Sequence, residues 1–272
     1  MNTMDETHNT RKKQNVYQWV LLGLAVVITA VWLFLTPEGI LGKADAVGYA
    51  VCHRIEARSF QMGGRYLPMC ARCSGLFLGA VLGLMYHLLH GRKGRMPPVW
   101  SLIIFGFLAL LWVLDGVNSF LMLLPKVQSL YQTQNWTRLV TGTGMGLAIS
   151  AVLWPSFIQT MFTSWEDESV LGSWRQTIGL LVEDAFLIGT VLVQDPYLLY
   201  PLSLLSAVGV IILLTMVYSM VFVMIVKKEN TYSRFRELVT PLLVGYIVAI
   251  FQIGAIDLLR FIWTGTWAGF NL

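Results

Sequence analysis

Apolar positions in this chain do not alternate in short stretches. They run on for about 20 residues at a time, about seven times over, with short polar breaks between. The runs cover 17–36, 70–90, 99–121, 138–163, 175–193, 200–226 and 238–264. A helix rises about 1.5 Å per residue, so about 20 apolar residues cross the roughly 30 Å of bilayer hydrocarbon. The pattern predicts an all-α fold, a polytopic transmembrane bundle of about seven spans. Pro196 and Pro201, with Gln194 and Asp195, divide the fifth run from the sixth, because proline cannot continue a helix from within. Residues 1–16 are polar and are expected to form a disordered tail, with 17–272 as a single transmembrane domain.

Composition agrees with the pattern. Apolar residues make up 56% of the chain and charged residues 12%, about half the charge of a soluble domain. That is too little charge to cover an aqueous surface, and no nucleic-acid partner is expected; the lipid bilayer is the surrounding partner. Arg11, Lys12 and Lys13 precede the first run, whose length exceeds the usual apolar stretch of a signal peptide, so it is expected to stay as a helix. Lysine and arginine are more frequent in the N-terminal tail and the even-numbered connections (Arg92, Lys93, Arg95, Lys227, Lys228, Arg234, Arg236) than in the odd ones. This bias predicts a cell-membrane protein with its N-terminus inside and its C-terminus outside.

Glycine recurs every four residues at Gly75, Gly79 and Gly83 in the second run, and at Gly142 and Gly146 in the fourth. Small stripes let helix backbones approach closely in lipid, which predicts close neighbours for both runs.

The chemistry concentrates in the stretch VCHRIEARSFQMGGRYLPMCARCSGLFLGA, 51–80, which holds all three cysteines. Cys52, His53, Cys70 and Cys73 form a donor set that zinc prefers, and four such ligands close a structural site. Cys70 and Cys73 fall on one helical turn, and Gly63-Gly64 with Pro68 supplies the turn that brings the two halves together. Thiol redox chemistry competes with this reading, because a CxxC at a helix N-terminus has a lowered thiol pKa and Arg72 adds positive charge. Inert buried cysteine is the plainest alternative.

Alternating helix direction places further polar residues at the same end of the bundle. These are Asp115 and Asn118 closing the third run, Asn135, Arg138 and Thr141 opening the fourth, and Asp257 with Arg260 closing the seventh. Asp257 and Arg260 stand three apart, where they could pair along a helix. Arg54, Arg58, Arg65, Arg72 and Arg138 together suggest a basic pocket for a phosphate, a carboxylate or an anionic lipid head group. Glu183 and Asp184 fall near the middle of the fifth run, where adjacent acids suggest a cavity, a proton route or a buried partner. His87 and His90 lie at the opposite end, and Trp165-Glu166-Asp167-Glu168 is expected to be a solvated connection.

The blocks CHR-x3-RSF, GG, LP-x-CARC-x-G and then DG-x-N and N-x-x-R-x-x-TG resemble a prokaryotic membrane-protein family, domain of unknown function 2085, over about 48–150. The resemblance falls on Cys52, His53, Arg54, Arg58, Ser59, Phe60, Gly64, Pro68, Cys70, Arg72, Cys73 and Gly75, then on Asp115, Gly116, Asn118, Asn135, Arg138, Thr141 and Gly142. It implies a membrane protein with a site at these residues and names no activity. Three functions stay open on the sequence: a zinc site organising an arginine-rich pocket, a thiol–disulfide oxidoreductase using Cys70 and Cys73, and a transporter using Glu183, Asp184, Asp257 and Arg260.

Overall fold

The computed structural model describes residues 16–122 and 129–270, together with the backbone of the first helix from Asn2. Residues 2–16, expected as a polar disordered tail, form the first part of α1, with the backbone alone described before Val16. Among the described residues eight α-helices follow in order: α1 (Asn2–Leu35), α2 (Ile40–Val51), α3 (Ala71–Leu89), α4 (Val99–Leu121), α5 (Asn135–Met161), α6 (Trp174–Leu192), α7 (Pro196–Ile225) and α8 (Val239–Thr264). Among the described residues, six helical segments are long and apolar enough to cross a membrane, and α6 is not among them. It is as long as α3 but carries Arg175, Glu183 and Asp184. Still, α6 runs the height of the bundle. At one end the carbonyl of Gln176 accepts a hydrogen bond from Tyr86 near the close of α3. At the other, Leu187, Ile188 and Val191 pack with Phe60 and Leu67 beside the start of α3.

The centre of the bundle is the α3–α5 contact, and glycine makes it. A β-carbon placed on Gly75 would stand 2.6 Å from the carbonyl oxygen of Leu139, and one on Gly79, Gly142 or Gly146 would press closer still on the facing backbone. The two glycine stripes therefore face each other, as small-residue packing in lipid requires. Helix α7 lies against the other side of α3, with Gly209 close to the Phe77 carbonyl. α8 packs on α7 through Gly245, which abuts the Thr215 carbonyl and Ser219.

Helix α2 is not predicted by the hydrophobic pattern. Its 12 residues are too few to span, and Gly42, Ala44, Ala46 and Gly48 give it the look of a linker. Those small residues are what let it wedge between α7, α8 and the cysteine loop, with Gly48 against the Pro68 carbonyl. At the far end, Lys93 pairs with Glu168 at 2.7 Å and Arg95 with Asp167 at 2.7 Å. The acidic connection is thus exposed, as expected, and also bound to the basic loop across from it.

Candidate functional site

Cys52 is the C-cap of α2, its N–H donating to the Gly48 carbonyl at 2.8 Å. The chain then turns sharply: Arg54 takes a left-handed φ of 54°, uncommon for a residue other than glycine. That turn aims the Arg54 N–H at the Cys52 sulfur, 3.4 Å away. A two-residue hairpin follows, with Gln61 opposite Tyr66 and Met62 opposite Arg65. Gly63 and Gly64 form its tip at φ 57° and 82°, the positive pair that a tight hairpin turn demands. The return strand delivers Cys70 as the N-cap of α3 and Cys73 in its first turn. The Cys70 N–H donates to the Cys52 sulfur at 3.3 Å.

The three sulfurs end within 4.8 Å of one another. Ala44, Val47, Met69, Ala207 and Val210 wall them with apolar surface, and Cys52 is 5% exposed. Thiols this close share charge. The Cys70 thiol is held well below its ordinary pKa by hydrogen bonds from Cys52 and Cys73, and then by the nearby Arg72 guanidinium. Its negative charge and hydrogen bond, with burial, push Cys52 up to about 12. The cluster thus holds one thiolate readily and resists a second unless a cation joins it.

His53 does not belong to this sulfur cluster. It is exposed, and its ring lies 5.7 Å from that of Phe270. The four-ligand set expected from the spacing is therefore not assembled in the structure. Cys52 ends a helix and Arg54 begins a turn, so the residue between them points away from the sulfurs.

The arginines divide into two groups. Arg54 and Arg65 turn back to Asp45, which Arg54 meets at 2.9 Å, and Arg54 also donates to the Trp267 carbonyl at 2.8 Å. Arg58, Arg72 and Arg138 gather around the buried carboxylate of Asp115. Arg72 binds it through Nε at 3.0 Å and through a terminal nitrogen, which also reaches Ser119 Oγ at 2.7 Å. Tyr131 donates to the second carboxylate oxygen at 2.7 Å, and Thr141 lies 3.4 Å from the first. Arg58 donates to the Ser119 carbonyl at 3.0 Å, and burial followed by repulsion from Arg72 lowers its pKa. Arg138 donates to Asn135 at 2.8 Å and to Thr133 at 2.5 Å, while its Nε has no partner. Asn118 fixes the following loop, donating to the Tyr131 carbonyl at 2.8 Å and accepting from the Leu130 N–H at 2.7 Å.

Asp257 and Arg260 do not pair. Asp257 accepts from Trp32 Nε1 at 3.0 Å. Arg260 turns instead to the carbonyls of Tyr49 and Cys52, the latter at 2.7 Å, with its guanidinium 3.9 Å above the Tyr49 ring. Loop carbonyls at the end of α2 outcompete a carboxylate one turn back along the same helix. Glu183 and Asp184 also separate: Asp184 is buried and accepts from Thr143 at 3.0 Å, whereas Glu183 is exposed. Adjacent helix positions lie about 100° apart, so the two acids share no cavity.

Several contributors escaped the sequence reading. Ser119, Tyr131 and Thr133 complete the network around Asp115 and Arg138. Asp45 gives Arg54 and Arg65 their partner, and its spacing of two helical turns before Cys52 could have flagged it. Trp267 and Phe270 cover the loop, with the Phe270 N–H donating to the His53 carbonyl at 3.0 Å, and nothing local marks them.

Fold and site together define a helical membrane protein with a three-cysteine cluster, Cys52 buried and Cys70 and Cys73 partly so, beside an arginine–aspartate network at one end of its bundle. The chain belongs to the family described as predicted membrane protein (DUF2085), whose model matches residues 52–152. That segment opens at Cys52 and closes inside α5, so it takes in the three sulfurs with Arg58, Arg72, Asp115 and Arg138. An uncharacterized protein of Methanothermobacter thermautotrophicus is 33% identical over 101 residues, 36% of this chain and 82% of its own. One from Methanocaldococcus jannaschii, also described as uncharacterized, is 26% identical over 124 residues, 44% of this chain and 72% of its own. No solved structure matches the chain.

Proposed function

We propose that Cys52, Cys70 and Cys73 bind a soft metal ion, zinc by preference, and that the bound metal and the neighbouring arginines together receive an anionic ligand. The observation that carries this reading is the three sulfurs within 4.8 Å of one another in apolar surroundings. Zinc–sulfur bonds of about 2.3 Å put sulfurs roughly 3.8–4.0 Å apart, so only small side-chain movement closes the site. The two backbone N–H groups on the Cys52 sulfur are the kind of outer contact that orients a metal thiolate. A dication also removes the repulsion that otherwise limits the cluster to a single thiolate.

Three thiolates leave a fourth position open. His53 is next to Cys52 in the chain and could fill it by turning away from Phe270. An exogenous carboxylate or phosphate head group could fill it instead, with the spare Nε of Arg138 beside Arg58 and Arg72 to hold its charge. In this reading the site lies at the outer face of a cell membrane, and the lysine- and arginine-rich loops at the other end face inward. The seven-span count belongs to the same proposal, supported by the full-height course of α6.

Elemental analysis of the purified protein should give about one metal per chain, lost in the Cys70→Ser/Cys73→Ser variant. Folded wild-type protein that stays metal-free when supplied with zinc overturns the reading. A second reading rests on Cys70, which sits at the α3 N-terminus beside Arg72 with a depressed pKa. As a thiol–disulfide exchanger the protein would instead show oxidant-dependent, reversible protection of Cys70 from alkylation and hold no metal.

A further inference from the structure

A groove of about 610 Å³ opens between α1 and α8. Val31, Leu35, Phe251, Leu258 and Phe261 give it an apolar lining. One strongly polar side chain interrupts that lining. Asp257 lies in the wall and is 3% exposed. Its Oδ2 accepts from Trp32 Nε1 at 3.0 Å, and its Oδ1 is buried with no partner. Neither of the nearest polar side chains supplies that oxygen. Thr36 donates to the Trp32 carbonyl at 2.8 Å, and Arg260 is turned to the loop carbonyls.

A buried carboxylate oxygen without a donor is costly, and inside a membrane such a group marks a ligand or a partner. The surroundings restrict what that ligand is. The walls need an apolar body. The carboxylate repels anionic heads and calls for a hydrogen-bond donor. Asp257 lies seven residues before the end of α8, about 10 Å below the helix terminus at 1.5 Å per residue. A bulky phosphodiester head would have to leave the interface to reach it, whereas a hydroxyl or an amine is small enough to be drawn in.

We propose that the α1–α8 groove binds a lipophilic molecule whose small head, a hydroxyl or a protonated amine, donates to Asp257 Oδ1 while its chain lies against Val31, Leu35, Phe251 and Leu258. The site is separate from the sulfur cluster and requires no metal.

The test uses the full-length protein in detergent micelles and three photoactivatable probes with the same twelve-carbon chain, ending in an alcohol, an amine or a carboxylate. Saturable labelling of α1 and α8 peptides is expected from the alcohol, the amine or both, at concentrations at least tenfold below those the carboxylate needs. The arm that saturates first tells a neutral lipid hydroxyl from a lipid amine. Asp257→Asn turns an amide donor toward the head and should weaken the donor-headed probes at least tenfold. Ala255→Phe leaves Asp257 intact and fills the groove, so it should block labelling by all three. Should Asp257→Asn fail to fold, head discrimination in the wild type and blockade in Ala255→Phe decide the matter. Equal saturation by the three heads, absence of saturable labelling in the wild type, or full labelling of Ala255→Phe overturns the proposal.

Discussion

Replacing Gly75 with alanine tests whether backbone contact between α3 and α5 holds the bundle together. The new β-carbon would stand 2.6 Å from the Leu139 carbonyl oxygen, where ordinary contact begins near 3.4 Å. The helices must therefore part locally by about 0.8 Å, the difference between those distances. A gap of that size forfeits a quarter to a half of each flanking atom pair's attraction, so roughly twenty pairs lose about 1 kcal/mol. Strain in the facing backbone brings the cost to about 1–3 kcal/mol, the usual range for over-packing. Alanine's better helix propensity returns up to about 1 kcal/mol. Gly106 and Gly116 in α4 provide the control, since a β-carbon on either meets nothing within 4 Å. Unfolding curves in mixed micelles, followed by tryptophan fluorescence, should show Gly75→Ala destabilised while Gly106→Ala and Gly116→Ala match or exceed the wild type. Gly75→Ala as stable as the α4 variants would refute the argument.

Two other perturbations probe the site. Arg72→Met leaves Asp115, whose side chain is 1% exposed, without its guanidinium, and should cost about 3–5 kcal/mol; adding Asp115→Leu should restore part of that loss in the same unfolding assay, and a strictly additive double variant would show that the pair is not coupled. Cys52, pushed up to about 12, is protonated in the free cluster at neutral pH, so metal capture releases its proton and affinity rises with pH, by about tenfold or more per unit between about pH 6 and 8; competition with a chelator of known pH dependence measures the slope, and a flat profile excludes Cys52 as a thiolate ligand.

The helices were legible because an apolar run long enough for a membrane has few other uses. α3, α4, α7 and α8 stand within a few residues of the expected spans. α2 was not legible, being short and rich in small residues that look like a connection until α7 and α8 are set against it. The meeting of the sulfurs followed from spacing and turn chemistry, both local properties. The direction of His53 depended on the Arg54 turn, a dihedral that sequence pattern does not convey. Partner choice failed for a different reason. Asp257 and Arg260 are well spaced to pair, but Trp32 and the carbonyls of Tyr49 and Cys52 reach them from more than 200 residues away in the chain. Arg72, predicted as a pocket residue, became the partner of Asp115 for the same reason: α4 brings the carboxylate from the opposite side.

The glycine contact between α3 and α5 also decides how the sulfur site can move. With backbone resting on backbone, these two helices behave as one stiff rail, and Cys70, Cys73, Arg72 and Arg138 ride on it at fixed separations. Cys52 arrives on a different body, the end of α2, which is tethered by Arg260, with Trp267 and Phe270 held against the loop that follows it. Two sulfurs thus share one rigid body and the third sits on another, so under the proposed metal reading the cluster would close as a clasp, with the α2 flank as the part that moves and the rail holding Arg72 and Arg138 aligned.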